Sequence, residues 1–165
     1  VRGRRGDRQT WRTFLCNHMS VAAACDFFTV PALTFKMLYV FVVLSHNRRR
    51  ILHVNVTRHP ARAWTAQRLF EAFPDGEEPR FLHRDGDSIY GPEFRRRAKA
   101  FGIDEVVSAR ESPWQNPFVE RVIGSIRREC TDHVIALGER HLLRVLREYV
   151  DYYNHASYCL TSSRA

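Results

Sequence analysis

The sequence predicts an α/β domain, a mixed sheet with helices packed against it. Three β-prone segments stand close together between residues 20 and 57, separated only by short turns. Beyond them, helical and extended patterns alternate, so the order reads βββαβαβαα, and such alternation lays helices on a sheet. With 165 residues and 44% hydrophobic side chains, the chain is long and apolar enough for one domain with its own core.

Residues 1–13, "VRGRRGDRQTWRT", are basic and contain glycine, and read as an N-terminal arm. "SVAAACDFFTV" is the first strand. "TFKMLYVFVVLSH" is rich in Val, Phe and Tyr and continuous enough for a central strand. "NRRR" is a polar turn, and "ILHVNVT" alternates as the third strand, so the three form an antiparallel meander. In "HPARAWTAQRLFEAFPDG", Pro60 marks a helix start, Trp64, Leu69, Phe70 and Phe73 form an apolar face, and Pro74 and Gly76 stop it. "PRFLHRD" is a short strand, "GPEFRRRAKAFG" a helix ended by Gly102, and "IDEVVSA" another strand. After the loop "SPWQN", Asn116 suits an N-cap and Pro117 the first helical position, where its missing N–H costs nothing. Val119, Val122, Ile123 and Ile126 give that helix an apolar face. A last helix runs from about Glu139 to His155, and residues 157–165 form an irregular tail after a core of residues 14–156.

The net charge is +8, and of the 26 basic residues only Lys36 and Lys99 are lysines. Arginine binds phosphate in bidentate fashion, so nucleic acid is the favoured partner, although codon bias also raises the Arg:Lys ratio. The longest apolar run, Met37 to Leu44, is too short to span a bilayer. Cys16, Cys25, Cys130 and Cys159 have no zinc-knuckle spacing and suit reduced thiols. The start at Val1 points to a longer product.

Three acids stand out. Asp26 interrupts an apolar strand, which is costly for a charge unless it is paired, coordinated or turned to water. Alternation puts it on one face with Ala22, Ala24 and Phe28, with Cys25 and Phe27 on the other. Asp85 lies just past a strand, where ligand groups gather, but it also opens an Asp-Gly turn; Asp87 is its rival two residues on. Glu120 sits one turn into a helix, where an acid also offsets the helix dipole. Brought together at one sheet edge, the three would repel unless cations held them, and oxygen-only ligands suit Mg²⁺ or Mn²⁺.

Four stretches, in order, resemble the integrase catalytic core of retroviruses and of bacterial insertion-sequence transposases, the DDE family. They are "ACDFFTV", "RDGDSIYGPEF", "SPWQNPFVERVIGSIRREC" and "YYNHASYCL". Residues 86–119, 34 in number, separate Asp85 from Glu120, against 32 from Asp87. The family spacing near thirty-five favours Asp85. The resemblance implies a ribonuclease-H-like five-stranded mixed sheet with flanking helices. It implies Asp26, Asp85 and Glu120 as catalytic residues and metal ligands for two Mg²⁺ or Mn²⁺ ions, in 3′-end cleavage of DNA and strand transfer. Gln115 and Asn116 would lie on the loop before the catalytic helix, and Arg121, Arg127 and Arg128 would meet phosphates. Arg48–Arg50 and Arg95–Arg97 are further phosphate candidates; each run is also an ordinary solvated face. The implied partners are transposon ends and target DNA, with a homo-oligomer on DNA, no membrane, and a bacterial cytoplasmic location. Pro117 departs from the family's usual Gly, the tail departs from its His-Leu ending, and no helix-turn-helix region precedes the core. These departures point to a truncated copy. The rival readings are a non-catalytic DNA-binding remnant and a ribonuclease-H-type nuclease.

Overall fold

The computed structural model describes residues 13, 18–46, 50–74, 78–108 and 117–162. The expected arm apart from Thr13, the "SPWQN" loop with Gln115 and Asn116, and most of the "NRRR" turn lie outside the described residues. The elements are β1 (Ala22–Pro31), β2 (Met37–Ser45), β3 (Arg50–Thr57), α1 (Arg62–Ala72), β4 (Phe81–Arg84), α2 (Pro92–Ala100), β5 (Asp104–Val107), α3 (Pro117–Glu129) and α4 (Glu139–Ser162).

The sheet has five strands in the order β3-β2-β1-β4-β5. β1, β2 and β3 form the expected antiparallel meander. β4 then pairs parallel with β1, and β5 parallel with β4. Parallel neighbours need crossover connections, which explains why helices separate the later strands. β1 lies at the middle of the sheet, and β2 is an interior strand with a partner on each side, as its continuous apolar run predicts. From Val40 to Leu44, β2 is fully buried on both faces, which is why its sequence is continuously apolar and does not alternate.

Each face of the sheet has its own core. α1 and α2 cover one face, where Cys25, Phe41 and Val43 meet Leu69, Tyr90 and Phe94. α3 and α4 cover the other, where Ala24, Phe28 and Val42 meet Val119, Ile126 and Leu146. The predicted apolar face of α3 is buried at all four positions. Tyr149 of α4 donates to Glu129 of α3 at 2.9 Å, tying the two helices together.

Helix ends follow local chemistry. Gly102 takes φ +70° after α2, and its N–H donates to the Lys99 carbonyl while that of Ile103 donates to Ala98. These two bonds close the helix at a left-handed residue, as a terminal Gly predicts. α1 begins two residues after Pro60, with Ala61 at its N-cap. Phe70 is 54% exposed, contrary to its expected place on the apolar face of α1. Leu69 points inward, and the next side chain rotates by about 100°. Phe70 packs on Phe101 instead, at 5.5 Å between ring centroids. α4 extends to Ser162, past the expected end at His155 and through most of the expected irregular tail. Residues 156–162 contain neither Pro nor Gly to stop it.

Candidate active site

The pairing of β1 with β4 builds the site. Ala24 is in register with His83, the last paired position; the same parallel register continued two residues sets Asp26 opposite Asp85, whose charge raises the Asp26 pKa. Asp26 is in the middle of β1, paired with Val42, and is half-buried. It is not a strand terminus, and it is only partly open to water. As alternation predicts, Ala24 and Phe28 belong to the α3–α4 core, and Cys25 to the other. Burial pushes the Asp26 carboxyl up to about 6; the Phe27 N–H opposes this, and the charges of Asp85, Glu120 and Asp87 add to it in that order. That N–H donates to Asp26 Oδ1 at 2.7 Å.

Asp85 follows β4 directly and is exposed at the sheet end. Its Oδ1 accepts the Asp87 N–H at 3.3 Å, so the Asp-Gly turn exists and the carboxylate helps to form it. Partial burial raises its pKa, the bond from Asp87 lowers it, and the Asp87 charge raises it. Asp87 itself is occupied by the turn, its Oδ1 accepting from the Ile89 N–H at 3.1 Å and the Ser88 hydroxyl at 3.3 Å. Asp26 feels Asp87 less than Asp85.

Glu120 is exposed on the first turn of α3 and acts on Asp26 through its charge. Among the described residues, no three His, Cys, Asp or Glu side chains form a ready-made cage for an ion. The three acids thus share an electrostatic field without closing into a cluster. Their donors are all carboxylate oxygens, the type that suits a hard divalent cation, and such a cation would offset the repulsion that Asp26 carries.

The arginines differ in their surroundings. Arg121, Arg127 and Arg128 are all exposed on α3. Arg127 lies 5.6 Å from the ring centroid of Phe28, two residues along β1 from Asp26 on the same face. Arg128 reaches Ser125 Oγ at 3.4 Å. Arg97 is bonded to Glu93 at 3.0 Å, on a helix of the opposite face, and is no free phosphate contact. Arg95 and Arg96 are exposed on that same helix.

Residues 101–157 match the family model described as integrase core domain. The chain is similar to that family over these 57 of its 165 residues. Its fold is shared by the catalytic domain of Mos1 mariner transposase, at TM-score 0.69 and 12% identity, covering 96% of this chain and 91% of that one. It is shared by the HTLV-2 integrase catalytic core domain in complex with magnesium (trimeric form), at TM-score 0.55 and 14% identity, covering 66% and 68%. A chain of the simian T-cell lymphotropic virus intasome in complex with PP2A regulatory subunit B56 gamma also matches, at TM-score 0.61 and 14% identity. That match covers 66% of this chain, which spans only 39% of the viral one. Curated protein sequences give no match. Among the described residues no helix is long and apolar enough to cross a membrane, and Cys25 and Cys130 are free and buried.

Two charged residues at the site escaped the sequence reading. Arg84, before Asp85, is 3% exposed and paired with Glu105 of β5 at 2.6 Å. The signal was the one used for Asp26, a charge at an inward position of a short strand, beside Leu82 in "FLHRD".

Proposed function

We propose that the chain is the catalytic domain of a DDE transposase or integrase that cleaves DNA 3′ ends and joins them to target DNA. What supports this reading is the parallel register of β1 with β4, which continued two residues faces Asp26 with Asp85, together with the charges of Asp85 and Glu120 felt at Asp26. Asp26, Asp85 and Glu120 would hold divalent cations, Mg²⁺ or Mn²⁺, two in number. When bound, these supply Lewis-acid stabilisation and lower the pKa of an attacking water or 3′-hydroxyl.

The chain's own residues do the rest. β1 holds Asp26 rigidly in the middle of the sheet, where ordered packing limits its motion. The turn after β4 would present Asp85 from the neighbouring strand, and Glu120, whose charge Asp26 feels, would complete the set from the first turn of α3. Exposed Arg121, Arg127 and Arg128 on α3 would supply positive charge for phosphates, with Gln115 and Asn116, which precede the helix in sequence, as further contacts. The partners are transposon ends and target DNA, with assembly into a homo-oligomer on DNA.

Purified protein should nick or join labelled oligonucleotides in Mn²⁺. Asp26→Asn, Asp85→Asn and Glu120→Gln should each lower this activity by at least about 10²-fold, the scale of losing a transition-state interaction. Metal-independent DNA binding without any such activity would establish the remnant reading instead.

A further inference from the structure

One buried cation ties down the chain that presents Asp85. The last β4–β5 ladder bond runs from the Ser108 N–H to the Arg84 carbonyl at 2.9 Å. The next carbonyl, that of Asp85, accepts from Arg84 Nη1 at 2.8 Å. On its other side the same guanidinium donates through Nε to Glu105 Oε1 at 2.6 Å. Its plane is backed by Tyr90 and Phe94, at 5.1 and 5.9 Å from the ring centroids. Tyr90 and Phe94 are themselves buried. The Arg84 side chain thus continues the ladder one residue beyond the strand, and β5 holds it in place.

A buried, paired guanidinium is a poor device for stability alone, because a volume-matched apolar pair commonly does as well or better. Its planar fork is a good device for fixing two acceptors relative to each other. We propose that Arg84, held by Glu105, is a positioning residue that fixes the main chain of Asp85, and so aims its carboxylate toward Asp26 and Glu120. The consequence for catalysis rests on the proposed role of Asp85; the effect on the loop does not.

The test compares wild type with Arg84→Lys, with the paired replacement Arg84→Met and Glu105→Leu, and with Glu93→Gln as a control on the more accessible pair of α2. Amide hydrogen exchange over residues 85–90 is measured in chelator, and Mn²⁺ uptake by calorimetry. Arg84→Lys keeps the charge but loses the fork. Exchange over 85–90 is expected to quicken at least tenfold, with β1 and β2 unchanged, and Mn²⁺ affinity to fall at least tenfold. The paired replacement should keep its unfolding midpoint, or raise it, and still show both losses. Glu93→Gln should show neither. Unchanged exchange over 85–90 in the folded paired replacement overturns the proposal. Quickened exchange in a protein whose wild type takes up no Mn²⁺ upholds the positioning and refutes the metal-binding reading of the site.

Discussion

At position 26 an interior strand carries a carboxylate where its neighbours carry Ala, Cys and Phe. Burial and nearby acids raise its pKa from 3.8 to about 6. At about 1.4 kcal/mol per unit, the ionised group weakens the metal-free fold by on the order of 3 kcal/mol at neutral pH. Its folded pKa is raised, so its contribution is fully favourable below about pH 4 and is lost as pH rises through 6. Asp26→Asn should therefore raise stability in chelator at pH 7.5 by about 1–2 kcal/mol while abolishing activity, a trade expected of a functional site. Urea unfolding with and without Mn²⁺ checks this, and the gain should disappear when the ion is present. His46 works in the opposite direction. It is 1% exposed, both ring nitrogens are buried without a hydrogen bond, and Phe118 packs on its ring. Burial, aided by His83, holds its pKa at about 4. A depressed histidine lends stability above its unfolded value of 6.5 and withdraws it as pH falls toward 4. Between pH 7.5 and 4.5, His46→Leu should lose about 2 kcal/mol less stability than wild type in urea titrations.

Among the elements, the edge strand β3 shows what a single side chain contributes. Asn154 of α4 accepts the Ile51 N–H at 3.0 Å and donates to the Ile51 carbonyl at 3.0 Å. The amide thus occupies the outer edge of β3 as a neighbouring strand would, and satisfies a backbone that is otherwise unpaired on that side. Asn154→Ala should lower the urea midpoint by the equivalent of about 1–3 kcal/mol, whereas Asn154→Asp should restore only the bond from the Ile51 N–H and recover part of the loss. Element types and order were legible because each period differed from the next: alternation in "ILHVNVT", continuous burial in "LYVFVVL", helical spacing in Val119, Val122, Ile123 and Ile126. What stayed hidden depended on contacts distant in sequence. The parallel pairing of β1 with β4 leaves no local mark, although its register continued two residues sets Asp26 opposite Asp85. The length of α4 was hidden because Ser and Thr in "SYCLTS" are weak helix formers, while nothing there breaks the helix. For the candidate site, the acids were legible as charges in apolar or strand-end settings. Arg84 carried a comparable signal, an inward position in step with Leu82, but in so short a strand that alternation is weak, and Glu105 alone reads as a solvated residue.

For the molecule as a whole, the net charge is +8, and exposed arginines stand on helices of both faces, Arg95 and Arg96 on α2 and Arg121, Arg127 and Arg128 on α3, while Glu120 of the candidate site stands on α3. If the chain binds DNA through charge alone, any exposed arginine counts equally. If DNA lies across the acids, those of α3 count and those of α2 do not. Counterion release separates the two, since each phosphate contact contributes about 0.9 to the slope of log affinity against log salt. Binding to a short duplex is to be measured from 50 to 300 mM salt, in chelator. Arg121→Ala combined with Arg128→Ala should reduce the slope by about 1–2 and weaken binding for every sequence alike. Arg95→Ala combined with Arg96→Ala removes the same charge from the opposite side of the sheet and should leave the slope within about 0.3 of wild type. Equal losses in the two pairs would mean diffuse attraction to the whole surface, and would remove the reason for assigning phosphates to α3. Arg127 is held out of the first pair because its guanidinium already lies on Phe28, and its loss would disturb packing next to Asp26 as well as charge.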